Sequence, residues 1–243
     1  MNRELVWAGS CNLHDLGGHR RSDGTRTARG RLYRSGRVES LENAGWRAAR
    51  QSGVQTIVDL RNVEEIGRQV GDPEIDDALS EPFDRLHRPI EDQAHQEFMG
   101  RYGQLLSHPA YYPANFDYFP DLVADAIEAI ANARHAVVFH CSAGKDRTGL
   151  ISATLLTLNG VVLDDVLRDY ESGVRGYAAW QHEHPGRGRE RTLTSQELDT
   201  AVEDRLATLG TWLSAVDMNE LLVDGVGMDE ATVARAGLLL QPG

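Results

Sequence analysis

The sequence contains little cysteine, little lysine and no long apolar run. Only two cysteines occur in 243 residues, Cys11 and Cys141, and neither has a second cysteine at metal-binding spacing. A chain of this length needs no disulfide to fold, and reduced thiols are the usual state in a cytosolic protein. The sequence therefore predicts neither a disulfide scaffold nor a zinc site, and we expect no metal and no cofactor.

Apolar runs are short throughout the chain. None reaches the roughly 18 residues that a membrane-spanning helix requires. The N-terminal residues MNRELVW lack the apolar stretch of a signal peptide. We therefore predict a cytoplasmic protein without stable membrane insertion, although secretion by a non-classical route remains open.

Positive charge is also scarce, because 25 basic residues face 37 acidic ones and the formal net charge is −12. This balance excludes global attraction to nucleic acid or to an anionic membrane. An anionic substrate would need local positive potential to bind. The hydrophobic and charged fractions, 41% and 26%, are ordinary for a globular protein. We predict a single domain over residues 1–243 and make no prediction of oligomeric state.

Strand and helix patterns alternate in the first two thirds of the chain. Short β-branched runs predict buried strands at Val54–Leu60 and Ala136–His140. Helical patterns lie at 64–70, 92–106, 121–133, 148–159 and 229–240, and a turn-rich aromatic segment lies at 108–120. The helix at 148–159 is apolar nearly all round, which predicts a buried central helix ending at Gly160. The alternation favours an α/β fold with a mostly parallel sheet and a helical C-terminus.

The most informative segment is the loop HCSAGKDRTG at residues 140–149, between a predicted strand and the buried helix. A loop that enters a helix N-terminus directs backbone N–H groups and the helix dipole at one point. Gly144 lets the backbone approach a ligand closely, and Arg147 offers a planar fork for two phosphate oxygens. The segment therefore predicts a phosphate-binding loop. Its expected contacts include Ser142, Ala143, Gly144, Lys145, Arg147 and Thr148.

Cys141 lies at the centre of this loop, where the field that binds an anion also favours thiolate over thiol. A thiolate beneath a bound phosphate is an in-line nucleophile. We therefore expect a phosphocysteine intermediate that water then hydrolyses. The loop amides and Arg147 would neutralise the equatorial oxygens without a metal.

The leaving oxygen needs a proton, and Asp146 inside the loop is the nearest candidate for the general acid. Asp59 and Asp117 are weaker alternatives. Asp146 could instead be a helix N-terminal carboxylate that only stabilises the dipole. Lys145 is the only lysine in the chain. Its position favours a substrate contact over an ordinary solvated surface role.

The loop resembles the signature of cysteine-dependent protein tyrosine phosphatases, in the bacterial branch whose loop carries Gly-Lys-Asp-Arg. Other segments are similar to motifs of that branch: NLHDLGG at 12–18, LYRSG at 32–36, VDLR at 58–61 with Glu64 and Glu65, and the pattern of 225–240. One departure is His14, where the branch often has arginine. An arginine that supports the loop would then be replaced by a weaker or pH-dependent support.

The resemblance implies a phosphatase-type fold with a helical lid-like insertion. It also implies that Cys141 is the nucleophile, Arg147 the phosphate clamp and Asp146 the general acid. His140, Asp59 and Arg61 are expected in supporting roles, and Arg34-Ser35 as a loop buttress. The aromatic stretch 111–119 would either cover the pocket, as lids do in that branch, or form a surface turn packed on the core.

The favoured function is a protein tyrosine phosphatase, with dual specificity open, whose partner is a phosphorylated protein or peptide. A phosphoinositide phosphatase would use the same loop, and Lys145 suits multiply phosphorylated ligands. Thiol relay chemistry of the rhodanese or arsenate reductase type is disfavoured by the late position of the loop and its single nearby cysteine. A phosphate-binding module without turnover is disfavoured by the trio Cys141, Asp146 and Arg147.

Overall fold

The computed structural model describes residues 5, 7–134, 136–188 and 190–242, and its described strands form one five-stranded sheet in the order β1-β2-β5-β3-β4. The pair β1–β2 is antiparallel and the other three pairs are parallel. This topology confirms the predicted α/β class with a mostly parallel sheet. The strands are β1 (His14–Asp15), β2 (Leu32–Ser35), β3 (Thr56–Asp59), β4 (Asp84–His87) and β5 (Val137–His140).

The central strand β5 is buried along its whole length, because strands flank both of its edges and it lies inside the core. In the register of the sheet, His140 pairs with Ser35 on one side and with Asp59 on the other. The carboxyl ends of β2, β3 and β5 therefore meet at one edge. Ligand sites of open α/β sheets gather at such an edge, and the loop that follows β5 begins there.

Helices surround the sheet and make up most of the chain after β5. Their bounds are α1 (Asn43–Gln51), α2 (Asp77–Ser80), α3 (Gln96–Tyr102), α4 (Tyr112–Tyr118), α5 (Pro120–Asn132), α6 (Arg147–Leu158), α7 (Leu163–Glu183), α8 (Ser195–Ala215), α9 (Met218–Glu220) and α10 (Glu230–Ala236). This confirms the helical C-terminus. No helix in the described ranges is long and apolar enough to cross a membrane.

Helix α6 is the core helix that the sequence predicts. Its residues 147–156 are all buried, in agreement with a pattern that is apolar on nearly every face. Gly160 follows with φ of +69°, the left-handed conformation in which glycine commonly ends a helix. Helix α6 therefore places its N-terminus, and the loop before it, on a rigid element.

Three helix predictions are wrong in extent. The pattern at 64–70 forms only a single 3₁₀ turn, Val63–Glu65, because Gly67 then adopts φ of +117°. The last helix ends at Ala236 rather than at Leu240. The helix predicted over 92–106 is confined to α3 and a following 3₁₀ turn, Gly103–Leu105.

The aromatic segment after α3 belongs to the core. Tyr111, Tyr112 and Phe116 are each 3% exposed or less. The ring centroids of Phe98 and Phe119 lie 4.8 Å apart in an edge-to-face arrangement. The segment is helical rather than turn-rich, and its rings pack between α3, α5 and α8.

Candidate active site

The loop 141–146 lies at the floor of a cleft of about 320 Å³. From the loop and the start of α6, the cleft is lined by Cys141, Ser142, Ala143, Asp146 and Arg147. Its walls come from the segments 65–69, 91–93 and 103–107 and from the end of α7. The structure thus brings the predicted nucleophile, acid and clamp together in one cavity of small-ligand size.

Arg147 is held by a carboxylate that the sequence analysis mentioned only within a motif. Both terminal nitrogens of Arg147 donate to Glu65, one of them over 2.8 Å and the other over a shorter contact. Ser142 Oγ donates to the same carboxylate at 2.8 Å. Burial alone would raise the pKa of Glu65, but the hydrogen bonds from Arg147 outweigh it and lower that pKa to about 2. Glu65 therefore stays ionised and fixes the guanidinium plane.

A second carboxylate, Glu91, lies 3.6 Å from Arg147 Nε and is 2% exposed. Gln93 Nε2 donates to Glu91 Oε1 at 2.8 Å, whereas Glu91 Oε2 has no hydrogen-bond partner among the described residues. Burial raises the pKa of Glu91. Arg147 is thus flanked by one firmly ionised carboxylate and one that takes up a proton more readily.

Asp146 has the electrostatic environment of a general acid. Burial raises its pKa to about 6, although Lys145 opposes the shift. Its Oδ1 has no hydrogen-bond partner in the described part of the chain, and Oδ2 lies 3.6 Å from Lys145 Nζ. A carboxyl group with a pKa near 6 is partly protonated close to neutral pH, as an acid catalyst must be.

The lone lysine is engaged within the protein. Lys145 Nζ donates to both oxygens of Glu190, at 2.9 and 2.7 Å, and lies 5.6 Å from the centroid of the Tyr177 ring. The side chain is buried and does not line the cleft. Direct contact with a substrate would require Lys145 to exchange Glu190 for that substrate.

Gly144 is the tightest point of the loop. Its φ is +68°, and a Cβ at this position would lie 2.5 Å from the backbone nitrogen of Gly36. The Gly144 carbonyl accepts a 2.7 Å hydrogen bond from Arg34 Nη2, and Arg34 Nη1 binds Asp169 of α7 at 2.6 Å. These contacts agree with the buttress role expected of Arg34. Arg34 of strand β2 links the loop to helix α7 through Asp169.

Asn12 is a second support for the loop, in a role that no sequence pattern indicated. Its Nδ2 lies within hydrogen-bond distance of the carbonyls of Ala143, Gly144 and Gly173, at 2.9 to 3.1 Å. His14 Nε2 lies 2.9 Å from Asn12 Oδ1. His14 therefore acts on the loop through Asn12.

Helix α7 makes room for both supports with glycine. A Cβ on Gly173 would lie 2.3 Å from Arg34 Nη2, and one on Gly176 would lie 2.5 Å from Asn12 Oδ1. No side chain fits at either position without moving a support. The approach of α7 to the loop thus depends on these two residues.

Thr148 and Tyr112 fix the far side of the loop. Thr148 Oγ1 lies 3.5 Å from the Ser35 carbonyl and is fully buried, so its side chain faces β2 and not the cleft. Tyr112 Oη donates to the Asp146 carbonyl at 2.8 Å. The aromatic segment therefore supports the loop from within the core. Residues 103–107, which precede this segment in the sequence, form one wall of the cleft.

The predicted supporting residues form a separate network beside the loop. Arg61 donates to Asp59 at 2.6 and 2.9 Å and to Glu39 at 2.6 Å, and His140 Nε2 lies 3.8 Å from Asp59. Burial lowers the pKa of His140. Against the effect of burial, the hydrogen bonds from Arg61 lower the pKa of Asp59. Asp59 does not line the cleft, and Asp117 is exposed on α4, so neither suits the role of acid.

Cys11 is a buried thiol behind the loop. It is 1% exposed and packs with Tyr177 and Trp180, and Ala143 of the loop lies against that cluster. Burial raises the pKa of Cys11 well above its ordinary range. Cys11 is therefore an unreactive thiol, in contrast to a cysteine on the floor of an open cleft.

With this geometry established, comparison with known proteins gives the family. The sequence profile of the tyrosine phosphatase family matches residues 5–235. The chain therefore belongs to the tyrosine phosphatase family. The match includes the loop, both of its supports and the carboxylates around Arg147.

Two curated relatives extend over most of the chain. A Cupriavidus necator protein, whose name assigns it provisionally to the tyrosine-protein phosphatases, is 28% identical over 97% of this chain and 86% of its own length. The triple specificity protein phosphatase PtpB of Mycobacterium tuberculosis is 28% identical over 69% of this chain and 67% of its own length. The similarity to the bacterial branch that the loop indicated is confirmed.

Proposed function

We propose that this protein is a cysteine-dependent protein tyrosine phosphatase that hydrolyses phosphomonoesters through a phosphocysteine intermediate. The observation that carries the proposal is the position of Cys141 on the floor of a cleft beside Arg147 and Asp146, whose pKa burial raises to about 6. Its membership of the tyrosine phosphatase family supports it.

In the first step, the Cys141 thiolate attacks phosphorus and the ester P–O bond breaks. Asp146 gives its proton to the leaving oxygen, and Arg147 with the loop amides binds the equatorial oxygens. In the second step, water attacks phosphorus, Asp146 accepts a proton from it, and the P–S bond breaks. Phosphate leaves, the thiolate returns and Asp146 is again protonated.

The purified protein should hydrolyse an aryl phosphate without added metal, and vanadate should inhibit it. Acid quench during turnover should trap a phosphate on the peptide that contains Cys141, detected by mass spectrometry. Cys141→Ser should abolish both turnover and trapping, whereas Cys11→Ala should retain them. Normal turnover by Cys141→Ser would refute the proposal, and phosphate binding without turnover by the wild type would indicate a binding module.

A phosphorylated protein is favoured over a phosphoinositide as the substrate. The phosphoinositide alternative relied on Lys145, whose ammonium group is bound by Glu190. Dual specificity finds support in the name of the mycobacterial relative, which ascribes triple specificity to that protein. Phosphotyrosine, phosphoserine and phosphothreonine peptides of one sequence, compared by kcat/KM, would rank the three.

A further inference from the structure

A pair of arginines that the mechanism does not use lies in the same cleft. Arg37 and Arg187 both line it, and both bind the carboxylate of Asp72. Arg37 donates to the two oxygens of Asp72 at 2.6 and 2.7 Å, and Arg187 Nη2 donates to Oδ1 at 2.7 Å. The Asp72 side chain is fully buried between them. Two cations thus share one anion.

The charge pattern distinguishes this pair from the other cation of the cleft. Arg147 is neutralised by Glu65, with Glu91 nearby. A further carboxylate near Arg37 is that of Glu39, 3.9 Å from its Nε, and Glu39 is bound more closely by Arg61 at 2.6 Å. Glu190, which also lines the cleft, is bound by Lys145, so Arg37 and Arg187 with their shared Asp72 carry a net positive charge.

The pair is rigid and lies next to the phosphate loop. The backbone nitrogen of Arg37 donates to the Ser142 carbonyl at 3.1 Å, so this arginine contacts the loop directly. Arg37 Nη2 also donates to the Gly67 carbonyl at 3.0 Å. The Arg187 guanidinium lies 5.8 Å from the centroid of the Trp180 ring and leaves 26% of the side chain exposed. A fixed, partly exposed guanidinium is a preorganised anion ligand.

An aromatic wall lies in the cleft with the arginine pair. Tyr177 and Trp180 stack with ring centroids 6.0 Å apart and an interplanar angle of 13°, and Ala143 of the loop packs against them. A flat phosphorylated ring that enters the loop would lie along such a wall. The chain on which that ring is carried would then pass close to Arg187.

We propose that Arg37, Asp72 and Arg187 form a second anion subsite, which binds an acidic side chain next to the phosphotyrosine of a peptide substrate. The inference rests on the proposed phosphatase function and adds the substrate class. Arg187 makes the contact, and Asp72 and Arg37 hold it in place. The other source of such an anion is a second phosphate, on the same peptide or on an inositol ring.

The test compares kcat/KM for phosphotyrosine peptides that carry Asp or the neutral Asn at each position from two before to two after the phosphorylated residue. Wild type should prefer Asp roughly fivefold at one or more positions, since an exposed charge pair has a modest effect. Arg187→Gln should reduce this ratio to about one. High salt should also reduce the wild-type ratio, because salt screens the interaction between the partly exposed Arg187 and the Asp side chain of the peptide.

Arg191→Gln is the matched control. Arg191 lies, like Arg187, in the segment between α7 and α8, but it pairs with Glu197 and does not line the cleft. It removes the same charge and should keep the wild-type ratio. An unchanged ratio in Arg187→Gln, or a wild-type ratio of one, would overturn the subsite while leaving the phosphatase function intact.

Peptide and inositol substrates separate the remaining outcomes. Doubly phosphorylated peptides should show the same dependence on Arg187 as the Asp peptides. Hydrolysis of inositol polyphosphates with dependence on Arg187, and of no peptide, would overturn the peptide assignment. Failure to hydrolyse any phosphate ester would instead refute the proposed function itself.

Discussion

Glu65 and Arg147 form a buried bidentate ion pair at the floor of the cleft, and Glu65 also accepts a hydrogen bond from the Ser142 hydroxyl. Glu65 lies in a single 3₁₀ turn after β3, and Arg147 is the first residue of α6. The phosphate clamp is therefore oriented before any ligand enters, so that binding need not order it.

Removal of the Glu65 charge should release this clamp. We expect Glu65→Gln to lower kcat/KM about tenfold or more and to lower the free energy of unfolding by about 3 kcal/mol, because Arg147 is left buried without its partner. Glu64→Gln is the matched control, since Glu64 is the exposed neighbour in the same turn. Steady-state kinetics and urea unfolding measure both effects. Equal losses in the two variants would contradict the assignment.

The pH dependence of stability follows from the same pair. The pKa of Glu65 is lowered to about 2, from 4.5 for an unperturbed glutamate. Its contribution to stability is thus complete above the unfolded value and is lost as pH falls through the folded value. The difference in unfolding free energy between wild type and Glu65→Gln should therefore be constant above about pH 5 and shrink towards pH 2. A difference that persists at pH 2 would count against the pair.

Asp146 should control the alkaline side of the activity profile. The acid form is required, and with a pKa of about 6 it becomes scarcer as pH rises above that value. Asp146→Asn should remove this decline in kcat/KM. It should slow phenyl phosphate about 100-fold and p-nitrophenyl phosphate much less, because a good leaving group needs little protonation. Asp117→Asn, at an exposed position of α4, is the control, and equal effects on both esters would locate the acid elsewhere.

Gly144 should tolerate no side chain. Gly144→Ala would place Cβ 2.5 Å from the Gly36 nitrogen at a φ of +68°, so the loop must shift. We expect a loss of kcat/KM of about 100-fold, since small misplacements of reacting groups are costly. Gly53→Ala separates the two causes: its φ is +80°, but nothing lies within 4 Å of the added atom. That control should lose about 1 kcal/mol of stability and no activity. Near-normal turnover by Gly144→Ala would show that the loop adapts.

The buried pair of Arg34 and Asp169 should matter for both folding and activity. Arg34→Met breaks the buried ion pair between Arg34 and Asp169 and removes the donor to Gly144, so we expect a loss of about 3 kcal/mol and a lower kcat/KM. Arg175→Gln, which breaks pairs that are 42% exposed at the arginine, should cost less than 1 kcal/mol. Thermal and urea unfolding would measure the contrast. Similar losses would refute it.

Local pattern was sufficient to predict the sheet class, the central helix and the loop. Helix α6 is apolar on all faces and the loop is contiguous, so both are visible in a short window. The partners of Arg147 and of the loop carbonyls are distant in sequence: Glu65, Glu91 and Asn12 meet the loop only after the strands pair. The sequence did indicate Glu65, because it follows VDLR in a recognised motif. No sequence pattern indicated Glu91.

What the sequence did not predict has the same origin. The pattern at 64–70 resembles a helix start, but Gly67 and the bond from Arg37 to its carbonyl hold the chain in an open turn. From the sequence, the aromatic segment could either line a pocket or pack on the core. Its rings are buried in the structure, so it packs on the core. Lys145 was predicted to contact the substrate, and the sequence could not indicate that Glu190, 45 residues later, binds its ammonium group.

The two glycines of α7 that admit Arg34 and Asn12 set a limit on protein engineering. Glycine inside a helix costs up to about 1 kcal/mol relative to alanine, so a routine stabilisation protocol would replace both. Here alanine would push against the side chains that hold the loop. A search for heat-resistant variants should therefore leave Gly173 and Gly176 unchanged, because at these positions any gain in helix stability would come at the expense of turnover.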